Sequence, residues 1–342
     1  MAIPVFRPTL KRRDMGSVLT CIVSDKLGPG ELCRDLAVRA SQLLGLSGGI
    51  AVTTPYLALS MALEALGLAA GDRVGLSALA PAAHLRVLHD RGLVPVLVDV
   101  DPDSGTAAPE ALARLAERGS KAVILHHTLG IAAEVEAARA LGLPFIEDVS
   151  HALGAKLPGG APCGGAADAT VVSLEPEGMI TSGGGALVLA RTRQAVGTLR
   201  RIAESSPMHA PLPDMNAALG VAQLGALERF LAVRREIAAV YGQALARSRH
   251  RPLVQKGDSE PVPWSFPVLL ADGMKEARQY AMKKNVETLP AFADCAASVD
   301  EEGAAACPNA RSLMMRCLLF PLYPMLAKRD VETVSKVLAT LP

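Results

Sequence analysis

The chain is poor in aromatic residues: six Phe, four Tyr and one Trp among 342 residues, 3% in all. Ten Phe and Tyr give few platforms on which bases could stack. Neither charge is in excess, since 35 Lys and Arg face 34 Asp and Glu, and a formal charge of +1 creates no basic field to gather phosphates. Both shortages argue against nucleic acid as a partner. The six cysteines (Cys21, Cys33, Cys163, Cys295, Cys307 and Cys317) contain no Cys-x-x-Cys pair, which fits idle thiols in a reducing compartment. The seven histidines make no zinc spacing, and the adjacent His126 and His127 are expected to point apart on a strand.

Long hydrophobic runs are interrupted. The uncharged stretch between Arg39 and Glu64 contains Gln42, Gly48, Gly49, Thr53, Thr54 and Pro55, so it reads as turn and strand, and no membrane span is expected. Met1 to Phe6 runs into Arg7, Lys11, Arg12 and Arg13 without an apolar leader, and the expectation is a cytoplasmic protein.

What the chain does have is size and alternation. Half its residues are hydrophobic, and its length suggests about two domains with a large buried core. Apolar strands are expected at Ile50 to Thr53, Arg73 to Leu76, Val94 to Val98, Ala122 to His126, Pro144 to Glu147, Ala169 to Ser173 and Gly185 to Ala190. Helical segments fall between them, at Leu57 to Leu66, Ala82 to Arg91, Pro109 to Ala116 and Ile131 to Leu141. This alternation predicts an α/β fold on a mostly parallel seven-stranded sheet. Beyond Pro213 the spacing predicts one long helix from Asp214, as its N-cap, to about Arg247, with Glu228, Arg229, Arg234, Arg235 and Glu236 on a charged face. A smaller α+β domain is expected to follow, with a strand at Trp264 to Leu270, a helix at Met274 to Lys284, a loop around Asp294 to Pro308 and a terminal helix from Lys328. The expected division is an N-terminal arm (1–25), a large domain (26–235) and a small domain (236–342).

Three segments could carry chemistry. Phe145 to His151 is an apolar strand ending in Glu147 and Asp148, and open parallel sheets bind ligands beyond the carboxyl ends of their strands; a solvated strand end is the plain alternative. Ser173 to Ala186 is a glycine-rich connection that fits neither nucleotide fingerprint and reads as a hairpin. Thr53-Thr54-Pro55-Tyr56 precedes a helix and could bind an anion or simply cap it.

In this order, the segments resemble the DegT-type (DegT/StrS) sugar aminotransferases, pyridoxal-phosphate (PLP) enzymes of the aspartate-aminotransferase fold acting on nucleotide-linked keto-sugars in polysaccharide pathways. The resemblance is carried by Ile3-Pro4, Ala70 to Val74, Val96 to Asp101, His127 to Gly130, Ile146 to Asp148 with Gly154-Ala155, Ala217 to Gly220 with Gln223-Leu224, Arg234-Arg235 to Tyr241, and Leu319 to Pro324. It implies that Asp148 salt-bridges the cofactor's pyridinium nitrogen, that His151 lies near its phenolic oxygen, and that Ser173 helps hold its phosphate. It also implies a homodimer and a nucleotide-sugar ligand.

Several positions depart from that pattern. Aligned on Ser173, Ile180-Thr181 and Gly183, the motif puts Gly178 where the family's Schiff-base lysine stands, and no lysine lies between Lys156 and Lys256. The family's phosphate loop, Ser-Gly-Thr, is replaced by Thr54-Pro55-Tyr56; Pro81 stands at the stacking aromatic, His209 and Pro211 at an Asn and an Arg, and Gly184 at a Glu. The first expectation is a homologue that does not transaminate, a pseudoenzyme or ligand-binding protein, with PLP or pyridoxamine phosphate (PMP), if bound, held non-covalently around Asp148, His151, Ser173, Thr54 and Tyr56. The second is a sugar-modifying enzyme that uses PMP without an internal Schiff base, with His151 or His209 as base. An ordinary aminotransferase would need a lysine after the Ser173 strand, and none is there.

Overall fold

The computed structural model describes residues 2–206 and 210–342. Seven strands, β1 (Gly48–Val52), β2 (Arg73–Ser77), β3 (Val94–Val98), β4 (Ser120–His126), β5 (Phe145–Asp148), β6 (Ala169–Ser173) and β7 (Ala186–Ala190), form one sheet in the order β1-β7-β6-β5-β4-β2-β3. The pairs from β3 through β6 are parallel, whereas β7 runs antiparallel to both β6 and β1. This is the mostly parallel aminotransferase-like α/β fold expected. Residues on both faces of β7 are buried, which is why that strand reads as an unbroken apolar run.

A second, antiparallel sheet is made of β8 (Arg251–Pro252), β9 (Phe266–Leu269), β10 (Leu289–Pro290) and β11 (Cys317–Phe320), in the order β10-β11-β9-β8. It shares a separate apolar core, including Tyr241, Phe266, Phe320 and Val334, with the helices Leu227–Leu245, Met274–Lys283 and Lys328–Ala339. The first of these helices joins the two cores, because Leu227, Phe230 and Leu231 pack on the large-sheet side and Ile237 and Tyr241 on the other.

Five local expectations are corrected. The helix after Pro213 is broken into Asp214–Leu224 and Leu227–Leu245 at Gly225-Ala226, where glycine is a poor helix former. Asp214 does not cap its own helix; its carboxylate accepts from the backbone N–H groups of Gly30, Leu32 and Cys33 and caps the helix Glu31–Leu44 instead. Arg234 is not on a solvated face. It is 4% exposed and donates to the carbonyls of Pro263, Trp264 and Leu322. The stretch from Asp294 to Pro308 holds the short helices Ala296–Val299 and Glu301–Ala305 rather than a loop.

The segment Ile131 to Leu141 is helical only at Val135–Arg139. Both backbone groups of Ala132 are taken by the Gln255 side chain, which keeps that residue out of the helix. Gly130, at φ +93°, brings the chain so close to the Val262 carbonyl that a Cβ there would lie 1.7 Å from its oxygen. Among the described residues no helix is long and apolar enough to cross a membrane.

Candidate active site

The parallel ladder sets the carboxyl ends of β4, β5 and β6 side by side, with His126 opposite Asp148 and Asp148 opposite Val171. Successive strand residues face opposite sides of the sheet, so the two histidines and two acids sort into two pairs. On one face Nε2 of His127 donates to Glu147 over 3.1 Å, since its Nδ1 already accepts from the N–H of Ala133. Glu147 also accepts from the N–H groups of Gly164, Ala166 and Ala167. Burial raises its carboxyl pKa, but His127 and these amides outweigh burial and keep it ionised. This pair fixes the turn after Pro162 and is structural.

The other face holds Asp148, which is 1% exposed. Its Oδ2 accepts from Nδ1 of His126 at 2.9 Å and lies 3.2 Å from Nε2 of His84. Its Oδ1 accepts from the N–H of Ser150 at 3.0 Å and from the Ser150 hydroxyl. Burial pushes the carboxyl up, but the hydrogen bonds from His126 and His84 hold it well below the usual carboxylate range. Facing an ionised oxygen, each imidazole must carry its proton on the nitrogen turned towards it. Burial lowers the pKa of His126 against the pull of Asp148, so its ring is a neutral donor.

His151 stacks on Trp264 with ring centroids 3.9 Å apart and meets the edge of His126 at 5.1 Å. Burial, with His126 nearby, pulls its pKa down to about 3, and its Nδ1 has no partner among the described residues. Trp264 in turn donates its indole N–H to the carbonyl of Glu177 over 2.9 Å and so ties down the β6–β7 connection. Within that connection Gly178 donates its N–H to Glu175; a Cβ at this position would lie 2.6 Å from the Ile180 carbonyl oxygen and 3.1 Å from that of Glu175.

Of the residues singled out from sequence, Asp148, His151 and Ser173 come together. Ser173 is joined through its N–H to the Ser150 hydroxyl, which itself bonds Asp148. The side chain of Ser173 accepts from the N–H of Glu175 at 3.3 Å. Thr54 caps the helix Pro55–Ala65 by accepting from Leu57, and Pro55 brings no N–H. Tyr56 does not join the group: it is exposed and hydrogen-bonds Asp90 at 2.7 Å. Pro81 is paired with Cys295 at the start of the helix Ala82–Asp90. His209 lies outside the described residues. Lys156 and Lys256 pair at the surface, with Glu260 and with Asp101 and Asp103.

These residues do not fit PLP. An ionised carboxylate has about four lone-pair positions; three hydrogen bonds already reach Asp148, and the His84 ring stands 3.2 Å from Oδ2 beside them. Position 178 has no room for a side chain, and the hydroxyls of Thr54 and Tyr56 are engaged elsewhere. His84 and Ser150 were not singled out from the sequence, and His126 was read only as structural. The available signal was their placement, Ser150 two residues beyond Asp148 and His126 at the end of the strand expected beside it.

The whole chain superposes on solved aminotransferase-fold structures. The aminotransferase TlmJ from Streptoalloteichus hindustanus is 24% identical, with a TM-score of 0.92 over 98% of both chains. The sugar aminotransferase CalS13 from Micromonospora echinospora is 20% identical, with a TM-score of 0.88 over 99% of each. GDP-4-keto-6-deoxymannose-3-dehydratase (ColD), solved as a mutant with bound GDP-perosamine, is 16% identical, with a TM-score of 0.87 over 98% of this chain and all of its own. At these identities the likeness concerns the fold. The model of the DegT/DnrJ/EryC1/StrS aminotransferase family matches residues 8–339, nearly end to end, and the chain belongs to that family.

Proposed function

We propose that this member of the family does not transaminate and instead serves sugar or polysaccharide metabolism as a pseudoenzyme or ligand-binding protein. The observation that carries the reading is Gly178, aligned with the family's Schiff-base lysine in a turn where a Cβ would stand 2.6 Å from a carbonyl oxygen. The carboxylate of Asp148, already engaged by His126 and Ser150 and faced by His84, supports it independently. Fold does not carry activity where the groups that perform it have changed. The test is to mix the purified protein with PLP, reduce with borohydride and map the peptides. The expected result is no stoichiometric adduct; a saturable one on a single lysine would overturn the reading.

For the ligand we propose a nucleotide-linked sugar. A cavity of about 560 Å³ beside β1, of the size small-molecule sites usually have, is lined by Arg34 and Arg200 as well as apolar residues such as Ile50 and Val52. Two guanidinium groups suit a diphosphate. We also propose a homodimer, supported by Met15, Leu19, Ile22 and Val23, which expose one apolar side of the helix Arg12–Val23. Mass measurement in solution tests it.

A second reading is a PMP-using enzyme without an internal Schiff base. It is favoured by His151, whose ring burial keeps neutral and whose Nδ1 has no partner among the described residues. Tight binding of PMP would support this reading over the first.

A further inference from the structure

We propose that His84 fills, from within the chain, the place at Asp148 that the ring nitrogen of a bound heterocycle would otherwise need. The groups around this carboxylate are not equivalent. Ser150 lies two residues beyond Asp148, and its N–H and hydroxyl reach back as part of the same turn. His126 stands opposite Asp148 in the β4–β5 ladder, so strand register places it. Both belong to the frame of the sheet.

His84 comes from elsewhere, the first turn of the helix Ala82–Asp90 after β2. Its Nε2 stands 3.2 Å from Oδ2, against 2.9 Å for Nδ1 of His126, and its other nitrogen, Nδ1, is buried without a partner among the described residues. It packs edge-on to His126 with centroids 6.0 Å apart. The Asp148 carboxylate is therefore the polar group its ring faces. A flat ring offering an N–H towards a buried carboxylate is also what a nitrogen heterocycle would offer there. Removing the His84 side chain should leave a ring-sized gap with one unfilled acceptor at its end, a site for imidazole or a pyridinium-type ring.

The inference rests on reading this as a site that holds no cofactor, and its test uses imidazole so that the two can fail separately. Full-length wild type, His84→Ala and His84→Gln are melted across an imidazole titration. His84→Ala should gain a saturable rise in Tm that wild type lacks and that His84→Gln, which keeps an amide donor, also lacks. A soaked crystal should hold the ring against Oδ2 of Asp148. No response from His84→Ala, or an equal response from wild type, overturns the assignment. Should His84→Ala fail to fold, nitrogen-15 histidine spectra of the wild type decide. A slowly exchanging Nε2 proton on His84 supports the proposal, and a freely exchanging ring overturns it. PMP binding by the wild type would count against the functional reading, whereas the imidazole result bears on His84 alone.

Discussion

His126 and Asp148 end two neighbouring parallel strands and share a hydrogen bond of 2.9 Å, from Nδ1 to Oδ2, inside the protein. The family resemblance implies that a cofactor's ring nitrogen would complete this acid. Here the chain completes it, which makes Asp148 a stabilising residue. Asp148→Asn turns an amide N–H₂ towards N–H or O–H donors and should cost on the order of 3 kcal/mol. Urea unfolding measures it. A nearly neutral effect would mean that the carboxylate is not satisfied internally.

The same cluster sets the response to acid. His151 is held neutral, with a folded pKa of about 3 against 6.5 ordinarily, so below pH 6.5 the unfolded chain binds a proton that the folded chain does not. Stability contributed by this group is therefore complete above pH 6.5 and falls as the pH drops towards about 3. Burial depresses His126 in the same direction. The lowered carboxyl of Asp148 contributes stability above its unfolded pKa, lost as the pH falls through the folded one. Unfolding free energies measured between pH 7 and pH 4 should decline, and His151→Gln should flatten the upper part of that slope. An unchanged slope would show that His151 is not buried in its neutral form.

Gly178→Lys should not create a transaminase. The new Cβ would meet the Ile180 carbonyl at 2.6 Å, so the turn must distort before any amine can be placed. Loss of about 1–3 kcal/mol and no turnover are expected, read by Tm and by an amino-transfer assay. Full turnover from this single change would mean that the remaining departures matter little.

Arg234→Ala removes the donor shared by the carbonyls of Pro263, Trp264 and Leu322. Burial already lowers the guanidinium pKa to about 10. About 3 kcal/mol should be lost, and because Trp264 is the only tryptophan, its fluorescence should shift as its backbone loosens. Retention of both stability and spectrum would argue against this anchor.

The sequence made the frame readable because buried strands are locally encoded. Val94 to Val98 and Ala169 to Ser173 are strands with the expected bounds, since their apolar, β-branched runs serve both faces. What failed depended on distant partners. Nothing near Asp214 reveals that its carboxylate serves Gly30, and nothing near Ala132 reveals Gln255. The candidate site divided along the same line. Asp148, His151 and Ser173 could be placed from a motif, but His84 meets Asp148 across 63 intervening positions, where periodicity carries no information.

The central claim is that this site is closed to the cofactor of its fold. Calorimetric titration of the full-length protein with PMP, and in parallel with PLP, tests it most directly. The account predicts no saturable heat for either compound. One-to-one binding of PMP that is abolished by Asp148→Ala would contradict it.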